Sequence, residues 1–192
     1  MERPLLILAS ASPRRQELLN SAGISLEVLP SEVDEGFQEG EPPEEYVARL
    51  ARRKAAKAGA RHKDRWVLAA DTVVVIDGRI LGKPGSRQEA KDMLDMLSDQ
   101  EHRVITGFCL LYGDSGKSRE GTVTTRVRFK NLSSREVDWY LDTGEPFDKA
   151  GAYAIQGKAA FMVKEIRGSY TNVVGLPLTE VIEALQEMGA VD

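Results

Sequence analysis

Three places in this 192-residue chain put polar side chains where packing alone does not ask for them. The first is the run Trp66-Val-Leu-Ala-Ala-Asp71-Thr72-Val-Val-Val-Ile76, apolar on both faces except at its Asp-Thr pair. An unpaired carboxylate in a buried strand is costly, so Asp71 must be paired, hydrogen-bonded, metal-bound or catalytic. Oxygen ligands of this type suit Mg²⁺ or Mn²⁺ when phosphates complete the shell. The second is Lys54, which falls inside the apolar helical stripe of Val47, Leu50, Ala51 and Ala58. A lysine there either snorkels to the rim or faces an anion in a cleft. The third is Ala9-Ser10-Ala-Ser12-Pro-Arg14-Arg15, between an apolar run and a helix start. Free backbone N–H groups, two hydroxyls and two guanidiniums there suit a phosphate. The same residues also make an ordinary N-cap followed by solvated arginines.

Weaker candidates surround these. Asp34 and Glu35 lie in a Gly-bearing loop, and Leu81-Gly82-Lys83-Pro84 presents Lys83 just after the Asp71 strand. Arg52, Arg53 and Lys57 read as a solvated outer helix face. Gly113-Asp-Ser-Gly-Lys-Ser118 is not a P-loop, because two residues separate its glycines where that motif needs four. Gly113-Asp-Ser-Gly116 is similar to a serine-protease nucleophile loop, yet His102 is its one nearby base and the strand pattern does not suit that family. A hairpin loop explains the same residues.

Positioning these groups requires alternating strands and helices. Leu5–Ala9 reads as a buried strand, followed by a helix with Ser12 as N-cap, Pro13 at its first position and Gly23 at its end. Leu26–Leu29 reads as a second strand and the acidic segment Ser31–Pro43 as a loop. A helix over Glu44–Ala60, the strand Trp66–Ile76 and a turn at Asp77-Gly78 follow. Capping boxes at Ser86–Glu89 and Ser133–Glu136 open two more helices, the second stopping at Gly144. Ala90, Met93, Leu94 and Leu97 form the apolar face of the first. His102–Tyr112 and Gly121–Phe129 read as strands joined by a polar hairpin loop. The tail reads as a strand over Phe161–Ile166, a Gly-rich turn and a helix over Leu178–Met188. The class is α/β with a mixed sheet flanked by helices, since hairpin and crossover connections both occur.

Composition narrows the chemistry. Twenty-six Lys+Arg against 30 Asp+Glu give a net charge of −4, which argues against a nucleic-acid polymer as partner. One cysteine, Cys109, excludes a disulfide framework and a Cys-based zinc site. His62 and His102 lie too far apart for a local metal motif. No stretch approaches the roughly 20 apolar residues of a membrane span, and the apolar start is too short for a signal peptide. The expectation is a soluble, cytoplasmic protein.

Taken together, the segments resemble the Maf family of nucleoside triphosphate pyrophosphatases. The motifs are Leu8-Ala-Ser-Ala-Ser-Pro-Arg-Arg-Gln-Glu-Leu-Leu19, Val33-Asp-Glu35, Arg53-Lys54-Ala55, Ala70-Asp-Thr72 and Gly82-Lys-Pro84, then Asp148-Lys-Ala-Gly-Ala-Tyr153, Ile155-Gln-Gly157 and Val174-Gly-Leu-Pro177. The match runs nearly end to end, which implies one catalytic domain over residues 1–192. The resemblance implies an elongated α/β fold with two lobes and a deep central cleft, similar to inosine triphosphatases, and usually a homodimer. It implies cleavage between the α- and β-phosphates of a nucleoside triphosphate, assisted by a divalent metal. Asp71 matches the general base, and Ser10, Arg14, Arg15, Glu35, Lys54 and Lys83 match cleft residues. Glu35 and Asp71 are the expected metal ligands. Arg14, Thr72 and Gln156 match markers of the branch acting on dTTP and UTP rather than on 7-methyl-GTP. Ala154 stands where the family often carries glycine. The family's older description also implies a non-catalytic regulator of cell division.

Overall fold

The computed structural model describes residues 6–113 and 115–191. Met1–Pro4, Leu5 at the expected start of the first strand, Asp114 in the hairpin loop and Asp192 lie outside the described residues.

The elements follow in chain order: β1 (Leu6–Leu8), α1 (Pro13–Ser21), β2 (Leu26–Val28), α2 (Pro43–Gly59), β3 (Trp66–Ile76) and β4 (Arg79–Leu81). Then come α3 (Arg87–Leu97), β5 (Glu101–Tyr112), β6 (Ser118–Phe129), α4 (Ser134–Asp142), β7 (Val163–Arg167), α5 (Tyr170–Val174) and α6 (Leu178–Glu187). Three 3₁₀ turns, Glu145–Asp148, Ala150–Ala152 and Gly157–Met162, separate α4 from β7. The strands form one sheet in the order β2-β1-β3-β5-β6-β7, with β4 paired to β3. β1 is parallel to β2 and β3, whereas β4 and β7 are antiparallel to β3 and β6, so the sheet is mixed.

The chain forms two compact units. The first comprises Met1–Asp71, Thr106–Val123 and Gly175–Asp192, the second Thr72–Ile105 and Thr124–Val174. In the first, strand alternation sends apolar side chains to both sheet faces. Leu6, Leu8, Leu68 and Ala70 pack with Leu19 of α1 and Val181, Ala184 and Leu185 of α6. Ile7, Ala9, Val67 and Ala69 pack with Ala51, Ala55 and Ala58 of α2. These small residues let α2 lie close, and at Gly107 of β5 a Cβ would stand 2.6 Å from the Val47 carbonyl carbon. Only glycine fits there.

In the second unit, Val74, Ile76, Leu81, Val104, Val127 and Phe129 pack under the apolar faces of α3 and α4. His102 is buried among them, 1% exposed, with Nε2 2.7 Å from the Tyr153 hydroxyl. Burial holds its pKa down at about 4, against 6.5 for a free imidazole. The unfolded chain takes up this proton as pH falls below 6.5, the folded protein only near pH 4, so stability falls with acidification through that window. The loss expected from this group reaches about 3 kcal/mol. Urea unfolding at pH 7 and at pH 4.5 measures it, and His102→Asn should flatten the difference. An equal acid loss in both proteins would refute the assignment.

Several local expectations are corrected. The Ser12 side chain makes no cap hydrogen bond, although Pro13 opens α1. At α3, Ser86 accepts from Glu89 N, but the Glu89 carboxylate accepts from Gly85 N, so the box is half formed. The Ser133–Glu136 box is complete. The Asp77-Gly78 turn has φ of 48° and 75°, as a two-residue hairpin requires, and returns the chain as β4. At three residues, β4 is too short to show an alternation of its own. The last strand starts at Val163 because Gly157–Met162 is a 3₁₀ turn, and the Gly-rich turn after it contains α5. Among the described residues no helix is long and apolar enough to cross a membrane.

Candidate active site

The first unit gathers most of the candidate residues, from the turn after β1, the loop before α2, α2 itself and the middle of β3. Lys54, 8% exposed on α2, places Nζ 2.5 Å from Asp71 Oδ1 and 2.7 Å from Glu35 Oε1. It therefore faces anions rather than snorkelling away from the stripe. Asp71 is largely covered and Glu35 is exposed, so one ammonium joins an inner carboxylate to an outer one. Oδ2 of Asp71 carries no protein partner among the described residues.

Arg15 is turned inward at the start of α1. Its Nε donates to Gly175 O at 2.7 Å, and its Nη1 donates to Ser10 Oγ at 2.9 Å and to Ala70 O at 2.8 Å. Burial pulls its pKa below the ordinary guanidinium range, and the negative charge of Asp71 acts against that pull. The group is still a cation, because arginine starts so high. Ser10 is buried, and its Oγ also accepts from Ser12 N at 3.3 Å. Arg14 is half-buried, and its Nε is a covered donor with no acceptor among the described residues. A buried donor of this kind calls for an acceptor.

The loop bearing Glu35 is held by a stripe of α2. Tyr46 Oη donates to Glu35 O at 2.9 Å, Arg49 Nη2 to Gly36 O at 3.0 Å, Arg53 Nη1 to Asp34 O at 2.9 Å and Lys57 Nζ to Glu32 O at 2.5 Å. Arg53 and Lys57 lie on the exposed outer face, as expected, and from there also tie the loop. Tyr46, Arg49, Arg53 and Lys57 recur at helical spacing opposite an acidic loop, a pattern present in the sequence but not read from it. Burial, with the charges of Asp71 and Glu35, pushes the Tyr46 hydroxyl up to about 12, so it remains a donor. Asp34 serves its own turn, accepting from Gly36 N at 3.0 Å.

The second unit holds the other three candidates. Thr72 follows Asp71 in an unbroken strand and so lies on the opposite sheet face. Lys83 is exposed after β4, where Gly82 O accepts from Gly151 N at 3.0 Å. Gln156 is half-buried at the start of the Gly157–Met162 turn.

Asp71 and Glu35 supply hard oxygen donors of the kind that suits Mg²⁺ or Mn²⁺, and the Lys54 ammonium offsets one of their two charges. Among the described residues no group of three or more His, Cys, Asp or Glu side chains is gathered for a metal. Such a cation would therefore need further oxygens from a bound ligand. Burial pushes the Cys109 thiol up to about 12, which leaves it inert as a nucleophile.

A family model described as "Maf-like protein" matches residues 5–188. The chain belongs to the Maf family. This Maf chain is 54% identical over 185 residues to a dTTP/UTP pyrophosphatase of Syntrophus aciditrophicus, covering 96% of this chain and 90% of that one. It is 53% identical over 191 residues to a dTTP/UTP pyrophosphatase of Geotalea uraniireducens, covering 97% and 96%. Its fold is similar to that of a HAM1 protein from Coxiella burnetii, with a TM-score of 0.51 at 18% identity over 96% of this chain and 100% of that one. At that identity the likeness shows the fold alone.

Proposed function

We propose that this Maf chain hydrolyses dTTP and UTP to the nucleoside monophosphate and pyrophosphate. The Lys54 ion pairs with Asp71 and Glu35 carry the reading, supported by the names of relatives sharing half or more of its residues. Lys54 fixes Oδ1 of Asp71 and leaves Oδ2 to accept a proton from water. That water attacks the α-phosphorus, the bond to the bridging oxygen breaks, and pyrophosphate leaves with the electron pair. The open Nε donor of Arg14 and the start of α1 are suited to phosphate oxygens. Asp71 and Glu35 would hold Mg²⁺ or Mn²⁺, which supplies charge neutralisation on the leaving pyrophosphate when bound. Arg15 positions Ser10 and the middle of β3 rather than reaching outward. Lys83 is assigned to phosphate charge, Thr72 to pocket shape and Gln156 to a pyrimidine edge, whose donor and acceptor its amide matches. The homodimer and a cytoplasmic location belong to the same proposal.

The test is one assay of the purified protein with Mg²⁺ or Mn²⁺ against dTTP, UTP and 7-methyl-GTP, with pyrophosphate and monophosphate quantified. Turnover of dTTP and UTP well above 7-methyl-GTP is expected. The reverse preference would move the chain to the methylated-purine branch, and tight binding without turnover would make it a nucleotide-binding regulator.

A further inference from the structure

The segment carrying Gln156 belongs to no helix or strand, so something else must hold it. Residues 153–156 run between two left-handed stretches, Gly151 and Ala152 on one side (φ 67° and 58°) and Gly157 on the other (φ 79°). Tyr153 anchors the upstream end. Its hydroxyl meets His102 Nε2 at 2.7 Å, and its ring stands edge-on to Phe129 with centroids 4.7 Å apart. Both members of the hydrogen bond are buried, so it is not exchanged with water. Glu145 anchors the downstream end. One of its oxygens accepts from Lys158 N at 3.2 Å, and the other accepts from the Tyr140 hydroxyl at 3.2 Å. At Gly157 a Cβ would stand 3.0 Å from both Glu145 oxygens, so the turn lies flat against that carboxylate. Gln156 sits between the two anchors, and its side-chain amide has no partner among the described residues. Backbone fixed on both sides and an amide left open is the arrangement a reading residue needs.

We propose that His102, through Tyr153, and Glu145 are positioning residues that set the reach of Gln156 and thereby select a pyrimidine over a purine triphosphate. The inference rests on the assignment of Gln156 to base recognition. A six-membered base and a fused purine present their polar edges at different distances from the sugar, so a backbone fixed at both ends favours one ring size. Loosening either anchor lets the amide follow the larger base and weakens its bond to the smaller one.

The experiment compares kcat/KM for dTTP with kcat/KM for 7-methyl-GTP in wild type, Tyr153→Phe, Glu145→Ala, Glu145→Gln and Gln156→Ala. Tyr153→Phe removes only the hydroxyl, and Glu145→Gln keeps an acceptor for Lys158 N. Tyr153→Phe and Glu145→Ala are expected to lower the ratio about tenfold, through a raised KM for dTTP with kcat little changed. Glu145→Gln is expected to restore most of it. A role in stability alone would lower both substrates together and leave the ratio at its wild-type value, which overturns the proposal. If Gln156→Ala also leaves the ratio unchanged, the assignment of Gln156 falls and the proposal with it. If Gln156→Ala lowers the ratio while the anchor variants do not, the positioning role alone falls.

Discussion

An Asp71→Asn protein releases pyrophosphate from dTTP about a thousandfold more slowly than wild type, or slower still. It unfolds within roughly 5 °C of wild type, as expected for loss of about 1 kcal/mol at this size. The two halves of this expectation have separate causes. Asparagine has the shape of aspartate and can still accept from Lys54 at the Oδ1 position, 2.5 Å from Nζ. Lys54 keeps its second partner in Glu35. The new amide, however, cannot take a proton from water, and it removes one of the two charges offered to a cation. Turnover near the wild-type rate would remove Asp71 from the chemistry, whatever its burial. Circular dichroism beside the pyrophosphate assay separates a lost reaction from a lost fold.

Arg15→Met has the largest expected effect on stability, a loss of about 3–5 kcal/mol in urea unfolding. Arg15 donates to Ser10 nearby, to Ala70 in β3, and to Gly175, 160 positions away in sequence. Methionine fills much of the volume yet removes a donor from each of these buried oxygens, the costlier way to lose a hydrogen bond. Arg15→Lys should recover little, because an ammonium cannot present the planar fork that reaches acceptors on different segments. A loss below about 1 kcal/mol would place Arg15 with the ligand instead of the fold.

The sequence showed most of the framework and the inner charges, for one physical reason. A polar side chain inside an apolar run violates the pattern that burial imposes, so Asp71 and Lys54 were visible as exceptions, and the structure joins them. Strands and helices long enough to express a period were legible for the same reason. What escaped depends on which atom meets which. Serine at a cap position did not guarantee a cap at Ser12, since the hydroxyl and the N–H groups must also face each other. The loop ties of the exposed Arg53 and Lys57 escaped because their acceptors are backbone carbonyls, which every residue owns and no sequence advertises. The 3₁₀ turns after α4 lack any period, and they are built from glycine conformations and one carboxylate, Glu145. Arg15 shows the same limit, since nothing near it in sequence points to Gly175.

The ties between α2 and the acidic loop have a consequence for inheritance. Four side chains on one helical stripe each grip a different carbonyl within residues 32–36. The helix thus acts as a ruler against which the loop is measured. An exposed, glycine-bearing loop ordinarily drifts in length between lineages without harm. In this one, a single inserted or deleted residue between Glu32 and Asp34 would put the Glu32 grip out of register with the other three and so pull Glu35 against its place beside Lys54. Related chains should therefore hold the count of this loop constant even where its letters outside Val33-Asp-Glu35 change.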